Sequence, residues 1–185
     1  MNTNDDDQEL LKRFVSEQDE MAFKLLVERY QQPLYQFIWR HVGNQDDALD
    51  LSQKVFLQVF SKAEQFRSES KFKTWLYQIA INLCKNHFRG KDRQRIADVE
   101  LEELELESEQ STMNEVEKIQ EQTHLFNAVK SLPDKQRTTL ELRLYQEYTF
   151  AEIAEIMNCP VGTAKANYHH AIKSLKNTLR DQDYE

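Results

Sequence analysis

The sequence predicts an all-α protein: two small helical domains joined by an acidic flexible linker, the second domain containing a helix-turn-helix. Three observations predict it. Gly43, Gly90, Gly162, Pro33, Pro133 and Pro160 are all the glycines and prolines in 185 residues, so few tight turns interrupt the chain. Leu, Glu, Gln and Lys, all good helix formers, dominate the composition. Apolar residues recur at helical spacing on both sides of one Glu-rich stretch. At this length the chain suffices for one domain or two modest helical cores.

In chain order, Leu10, Leu11, Phe14 and Val15 form a short stripe, and Phe23, Leu26, Val27, Tyr30, Leu34, Phe37 and Ile38 a longer one. "GNQDD" breaks the pattern and "DALDLSQKVFLQVFSKAEQF" resumes it. The polar "RSESK" precedes a further helix, "FKTWLYQIAINLCKNHFR", for which Gly90 is the expected C-cap. About four helices are therefore expected in residues 1–95. Residues 96–122 are poor in aromatics and rich in Glu, which predicts a solvated linker running into the start of the next helix. From residue 123 the helical pattern returns: "LFNAVKSL" up to Pro133, then "DKQRTTLELRLYQ". Thr149 with Glu152 three residues on is a capping-box signature for "TFAEIAEIM". Asn158 suits the left-handed end of that helix. Pro160 suits the first turn of a last helix running to about Leu179.

The net charge of −8 is unevenly distributed. Residues 1–22 carry seven acids and two bases, and residues 96–122 ten acids and one base. Residues 64–95 carry eight bases against three acids, and residues 158–180 four bases and no acid. Two separated basic patches are an electrostatic footprint for phosphate, twice over. The two cysteines, Cys84 and Cys159, have no CxxC or Cys/His ligand spacing. Reduced thiols in a cytosolic protein are the expectation. The acidic N-terminus is unlike a signal peptide, and no run of about 18 apolar residues offers a membrane span.

Residues 149–179 have the plan of a helix-turn-helix: a short helix, a tight turn, and a second helix able to enter the DNA major groove. Ile153, Ala154 and Met157 would face Val161, Ala164 and Tyr168, with small Ala154 at the close approach. An ordinary helical hairpin with a solvated basic face would share the pattern, but the absence of acids over 158–180 favours DNA. The other patch interleaves bases with Phe66, Phe72, Trp75, Tyr77 and Phe88, as single-strand binders do. Phe72 and Trp75 share helical spacing with Ile79 and are expected in the core, whereas Phe66 and Tyr77 flank the polar loop and are the better candidates for nucleic-acid contact.

With these segments in this order, the chain resembles the extracytoplasmic-function sigma factors of bacterial RNA polymerase along nearly its whole length. "DALDLSQKVFLQVF" is similar to that family's core-binding helix, "FRSESKFKTWLYQIAINL" to its −10 element reader, and "LPDKQRTTLELRLYQEYTFAEIAEIMNCPVGTAKANY" to its −35 reader. The resemblance implies a first domain, 1–95, that binds core polymerase and reads and melts the −10 element. It implies a linker, 96–122, threading the polymerase cleft, and a second domain, 123–185, that reads the −35 element. Asp47, Asp50, Leu51, Gln53 and Phe56 match the motif that docks on the β′ coiled coil, an amphipathic helix suiting a partner helix pair. Lys54 departs from the acid usual there. For the −10 element the resemblance implies a flipped-base pocket at Phe66, Arg67, Ser68, Glu69, Ser70 and Lys71. Tyr77, Asn82 and Asn86 follow on the next helix, with Lys85, Arg89 and Arg93 as phosphate contacts. For the −35 element it implies Arg143 as a phosphate contact and Thr163, Lys165, Ala166, Asn167, His169 and His170 on the recognition face. Asn167 suits adenine and Lys165 guanine, while the histidines add charge only below roughly pH 6.5.

The implied partners are core RNA polymerase through its β′ coiled coil and β flap, promoter DNA, and an anti-sigma factor able to hold the protein at the inner face of the membrane. No cofactor, metal, catalytic residue or small-molecule substrate is implied. Two other readings start from the same residues. A simple helix-turn-helix regulator accounts for the second domain but leaves the aromatic-basic patch without a role. An enzyme would need a motif among His41, His87, His124, His169 and His170, which show neither HExxH nor a nucleophile elbow. A zinc site pairing Cys159 with His169 and His170 is conceivable by helical proximity, against a plain buried thiol.

Overall fold

The computed structural model describes residues 6–66, 70–95 and 124–182, and all regular elements among them are helices. The first four are α1 (Asp7–Glu17), α2 (Glu20–Val42), α3 (Gln45–Lys62) and α4 (Phe72–Arg95), with a 3₁₀ turn at Ala63–Gln65 after α3. The next covers residues 124–131 (α5). It is followed by α6 (Asp134–Leu144), α7 (Phe150–Met157) and α8 (Val161–Gln182).

Local chemistry sets most boundaries. Asp19 caps α2 by accepting from the Met21 and Ala22 N–H groups, and Gly43 ends it in the left-handed conformation, φ 73°. The side chain of Asn44 caps α3 through the Asp47 N–H. The Thr149–Glu152 capping box is formed in both directions, and Asn158 closes α7 at φ 49°. Gly90 departs from expectation: α4 continues through it to Arg95. A glycine costs only about 1 kcal/mol in a helix interior, so it does not by itself end one. The last helix likewise runs to Gln182, beyond the expected Leu179.

The first four helices share a core of large buried side chains, among them Leu10, Leu26, Leu34, Phe37, Ile38, Phe72, Leu76 and Tyr77. The last four have a small core of their own, Ala128, Leu132, Leu140, Ala171 and Leu175. Their other buried residues, Leu142, Tyr148, Ile153, Ala154, Ile156 and Ala164, are continuous with the core of the first four. Helices α6 and α7 therefore lie directly on the first domain, α6 meeting α2 through Thr138 and His41, and α7 lying against α4.

Candidate nucleic-acid and partner interfaces

Helix α3 carries two apolar stripes. Ala48, Leu51, Val55 and Val59 are buried in the domain. Leu49, Phe56, Leu57 and Phe60 point the other way and, with Phe23, Val27 and Tyr35 of α2, line an open groove of about 590 Å³. Leu57 is 68% exposed and Phe60 55%, more apolar surface on one helix than a solvated face needs. Of the residues expected to dock a partner, Gln53 and Phe56 line this groove. Asp50 is exposed and pairs with Lys54 one turn on, at 2.5 Å. Asp47 lies 3.4 Å from His87 of α4. Leu51, 4% exposed, belongs to the domain's own core, so it holds the helix in place and offers no surface. Leu49, Leu57 and Phe60 were missed. The signal for them was an apolar set one residue out of phase with the buried stripe.

The basic-aromatic segment divides differently. Phe66 is half-buried and packs on Trp75, ring centroids 5.0 Å apart. The carbonyl of Ser70 accepts from Gln8 of α1. Asn82, Asn86 and Arg89 are exposed along α4, and Lys85 is half-buried. Arg67, Ser68 and Glu69 lie outside the described residues, as do the side chain of Arg93 and the acidic stretch 96–122. Tyr77 is fully buried, 0% exposed. Its hydroxyl donates to Gln146 Oε1 at 2.6 Å, and its ring meets Tyr148 edge-on at 5.7 Å. Burial pushes the phenol above its ordinary pKa. As an exposed DNA contact Tyr77 is thus a correction: in this arrangement it serves the packing between domains. Periodicity shows that such a side chain has a buried face, not what buries it.

In the helix-turn-helix, Ala154 and Ala164 are buried where α7 and α8 approach, and Phe150 packs edge-on to Tyr168 at 5.5 Å. Val161, expected at this contact, is 41% exposed, because the helix begins there and its first turn points outward. Thr163, Lys165, Ala166, His169 and His170 form an exposed face on α8 with no acid. Asn167 is half-buried and its Nδ2 lacks a hydrogen-bond partner, so offering both amide groups to adenine requires a change of rotamer. Arg143 donates to the Tyr148 carbonyl at 2.8 Å and lies over Phe150, 5.2 Å from the ring centroid. It ties the end of α6 to the loop before α7.

Cys84 is buried, which pushes its thiol up to about 12, while Cys159 is half-buried. Among the described residues no three His, Cys, Asp or Glu side chains are grouped to hold a metal ion, and no helix is long and apolar enough to cross a membrane.

A recognition helix without acids up to Arg180, a basic α4 and an apolar groove on α3 are the features of a helical protein that engages DNA and a protein partner. Residues 26–94 match Sigma-70 region 2 and residues 125–175 match Sigma-70, region 4. The RNA polymerase sigma-H factor of Pseudomonas aeruginosa is 32% identical, with 97% of each chain covered. The ECF RNA polymerase sigma-E factor of Escherichia coli K12 is 32% identical, with 94% of each covered. Among solved structures, the sigma factor RpoE in complex with the anti-sigma factor NepR from Bartonella quintana has a TM-score of 0.70 and 22% identity, over 85% of this chain and 96% of that one. That likeness is one of fold. The chain belongs to the sigma-70 family, in its extracytoplasmic-function group. It is a transcription initiation factor that directs bacterial RNA polymerase to promoters.

Proposed function

We propose that residues 1–95 bind core polymerase and read and open the −10 element, that 96–122 form the linker, and that 123–185 read the −35 element. The observation that carries the docking site is the exposed apolar stripe of α3, bordered by Asp50 and Gln53. A helix pair on the partner would fill the groove between α2 and α3, with Phe56 and Leu57 as anchors and Asp50 at the rim. Lys54 holds Asp50 in the free chain, so docking exchanges an internal ion pair for one with the partner.

On α4, Asn82, Asn86 and Arg89 form the accessible edge for single-stranded DNA, with Arg67, Ser68, Glu69, Ser70 and Lys71 supplying the base pocket and Lys85 and Arg93 reaching phosphates. On α8, Lys165 and Asn167 read bases, Thr163, Ala166, His169 and His170 complete the surface, and Arg143 reaches a phosphate. The chain has no catalytic step of its own and works in the cytoplasm. An anti-sigma factor is its proposed regulator, as in the complex with NepR.

Co-elution with core polymerase on size-exclusion chromatography tests the docking site. Asp50→Lys and Phe56→Ala should each weaken the complex, Phe56→Ala by roughly thirtyfold or more if it is a central anchor. Wild-type affinity in both variants would move the docking site off α3.

A further inference from the structure

Between α4 and the start of α6 lies an open cavity of about 460 Å³, lined by Lys85, Phe88, Arg89, Asp134 and Arg137. Small-molecule sites typically enclose about 300–1,000 Å³. The lining holds three cations against one acid. Lys85 and Phe88 are half-buried and Arg89 is exposed, and their spacing puts them on one face of α4. Asp134 is the first residue of α6, whose N-cap, Pro133, provides no side-chain hydrogen bond. The positive end of the α6 dipole therefore borders the same cavity.

Arg137 is what distinguishes this cavity from a gap between helices. It is 8% exposed, and its Nε has no hydrogen-bond partner. The other two guanidinium nitrogens donate at long range, one to the Lys130 carbonyl at 3.3 Å and one to Asp134 at 3.5 Å. The Asp134 side chain is itself 43% exposed, so water screens the pair. A buried guanidinium without a close carboxylate is costly, and an anion in the cavity supplies the missing acceptors. Phosphate suits it, because the planar fork takes two phosphate oxygens at once. Lys85 and Arg89 add two further cations from α4. Phe88 adds an aromatic surface that a bare phosphate would leave unused and on which a nucleobase can stack.

We propose that the cavity between α4 and α6 binds a nucleoside di- or triphosphate, its phosphates held by Arg137, Lys85 and Arg89 and its base against Phe88. The site is separate from the α3 groove and from the exposed face of α8, and it stands whether or not those surfaces act as proposed. Lys85 and Arg89 are shared with the proposed −10 edge, whereas Arg137 and Asp134 are not. The α6 pair therefore separates a nucleotide site from the path of a DNA backbone. Asp134 limits the affinity, because its carboxylate repels phosphate and takes up part of the Arg137 fork.

The test is isothermal titration calorimetry of the full chain with ATP, and with inorganic pyrophosphate and adenosine as its two halves, at low salt without divalent cations. ATP should bind at a single site per chain, roughly tenfold more tightly than pyrophosphate, and adenosine should bind far more weakly than either. Lys85→Ala and Arg89→Ala should each weaken ATP binding roughly tenfold. Arg137→Lys, which keeps the charge and loses the fork, should weaken it by a similar factor. Asp134→Asn should tighten it roughly threefold, and it carries the α6 arm should Arg137→Lys unfold, as circular dichroism will show. Lys62→Ala and Glu28→Gln change charge by the same amounts at exposed positions on other helices and should leave binding unaltered. No ATP binding by the folded wild-type chain, or equal weakening by Lys62→Ala, would overturn the proposal. Weakening by Lys85→Ala and Arg89→Ala with Asp134→Asn equal to wild type would overturn it in favour of a phosphate-binding surface on α4 alone, the DNA edge. ATP no tighter than pyrophosphate would overturn the nucleotide in favour of a free phosphate.

Discussion

The two domains solve the same problem with unequal means. The first buries Leu26, Leu34, Phe37, Ile38 and Phe72 completely or nearly so and rests on its own core. The second has a private core of two alanines and three leucines. It places Tyr148, Ile153 and Ile156 in a core continuous with the first domain's. Buried apolar area is the main source of stability. The second domain therefore gains from docking what the first obtains alone.

The largest expected effect breaks the independent side of this comparison. Leu26→Ala should cost about 2–5 kcal/mol, and the second domain should melt with the first in one calorimetric transition. Leu140→Ala should produce a separate, earlier transition of the second domain alone. Tyr148→Ala acts at the junction. It removes a buried ring from against Tyr77, and chemical denaturation should show a loss of about 3 kcal/mol, with scattering showing a larger radius of gyration.

Glu141→Leu has the opposite sign. Replacing a buried carboxyl that accepts no hydrogen bond and lies 3.1 Å from His41 Nδ1 by an apolar group of similar volume should raise stability by about 1–3 kcal/mol; a lower melting temperature would mean that His41 holds Glu141 favourably. The smallest effect is the pH dependence of Glu152. A hydrogen bond from Lys71, then one from the Thr149 backbone, depress its carboxyl from the ordinary 4.5 to about 2. A depressed acid contributes fully above its ordinary value and loses that contribution as pH falls through about 2. The pair should therefore be constant from neutral pH to about 4.5. With Lys71 72% exposed, its worth is under about 1 kcal/mol. Thermal midpoints of wild type and Glu152→Gln should differ above that window and converge below it.

Helix existence was legible because each helix declares itself locally. The stripes of α1 and α2, the Thr149–Glu152 box and Asn158 all act within a turn or two of their own position. The order of three motifs made the family legible as well. What stayed hidden needs partners far along the chain. Tyr77 and Gln146 meet across 69 positions and His41 and Thr138 across 97, and no periodicity announces such a meeting. Leu51 enters the docking set through the family motif, which runs along the sequence, yet on a helix adjacent residues face about 100° apart, and Leu51 turns into the domain's own core while Asp50 stays exposed. Gly90 marked a helix end that neighbouring turns overrode.

The contact between His41 and Thr138 also carries a consequence for how the molecule comes into being. Translation completes α1 to α4 before α6 has been made, and helices closed by neighbours in sequence assemble rapidly. A nascent chain therefore presents a finished first domain before Gln146 and Glu155 exist to meet Tyr77 and Gln78. Ribosome-bound chains halted before residue 134 should expose Gln78 to thiol labelling as Gln78→Cys, and released full-length chains should protect it.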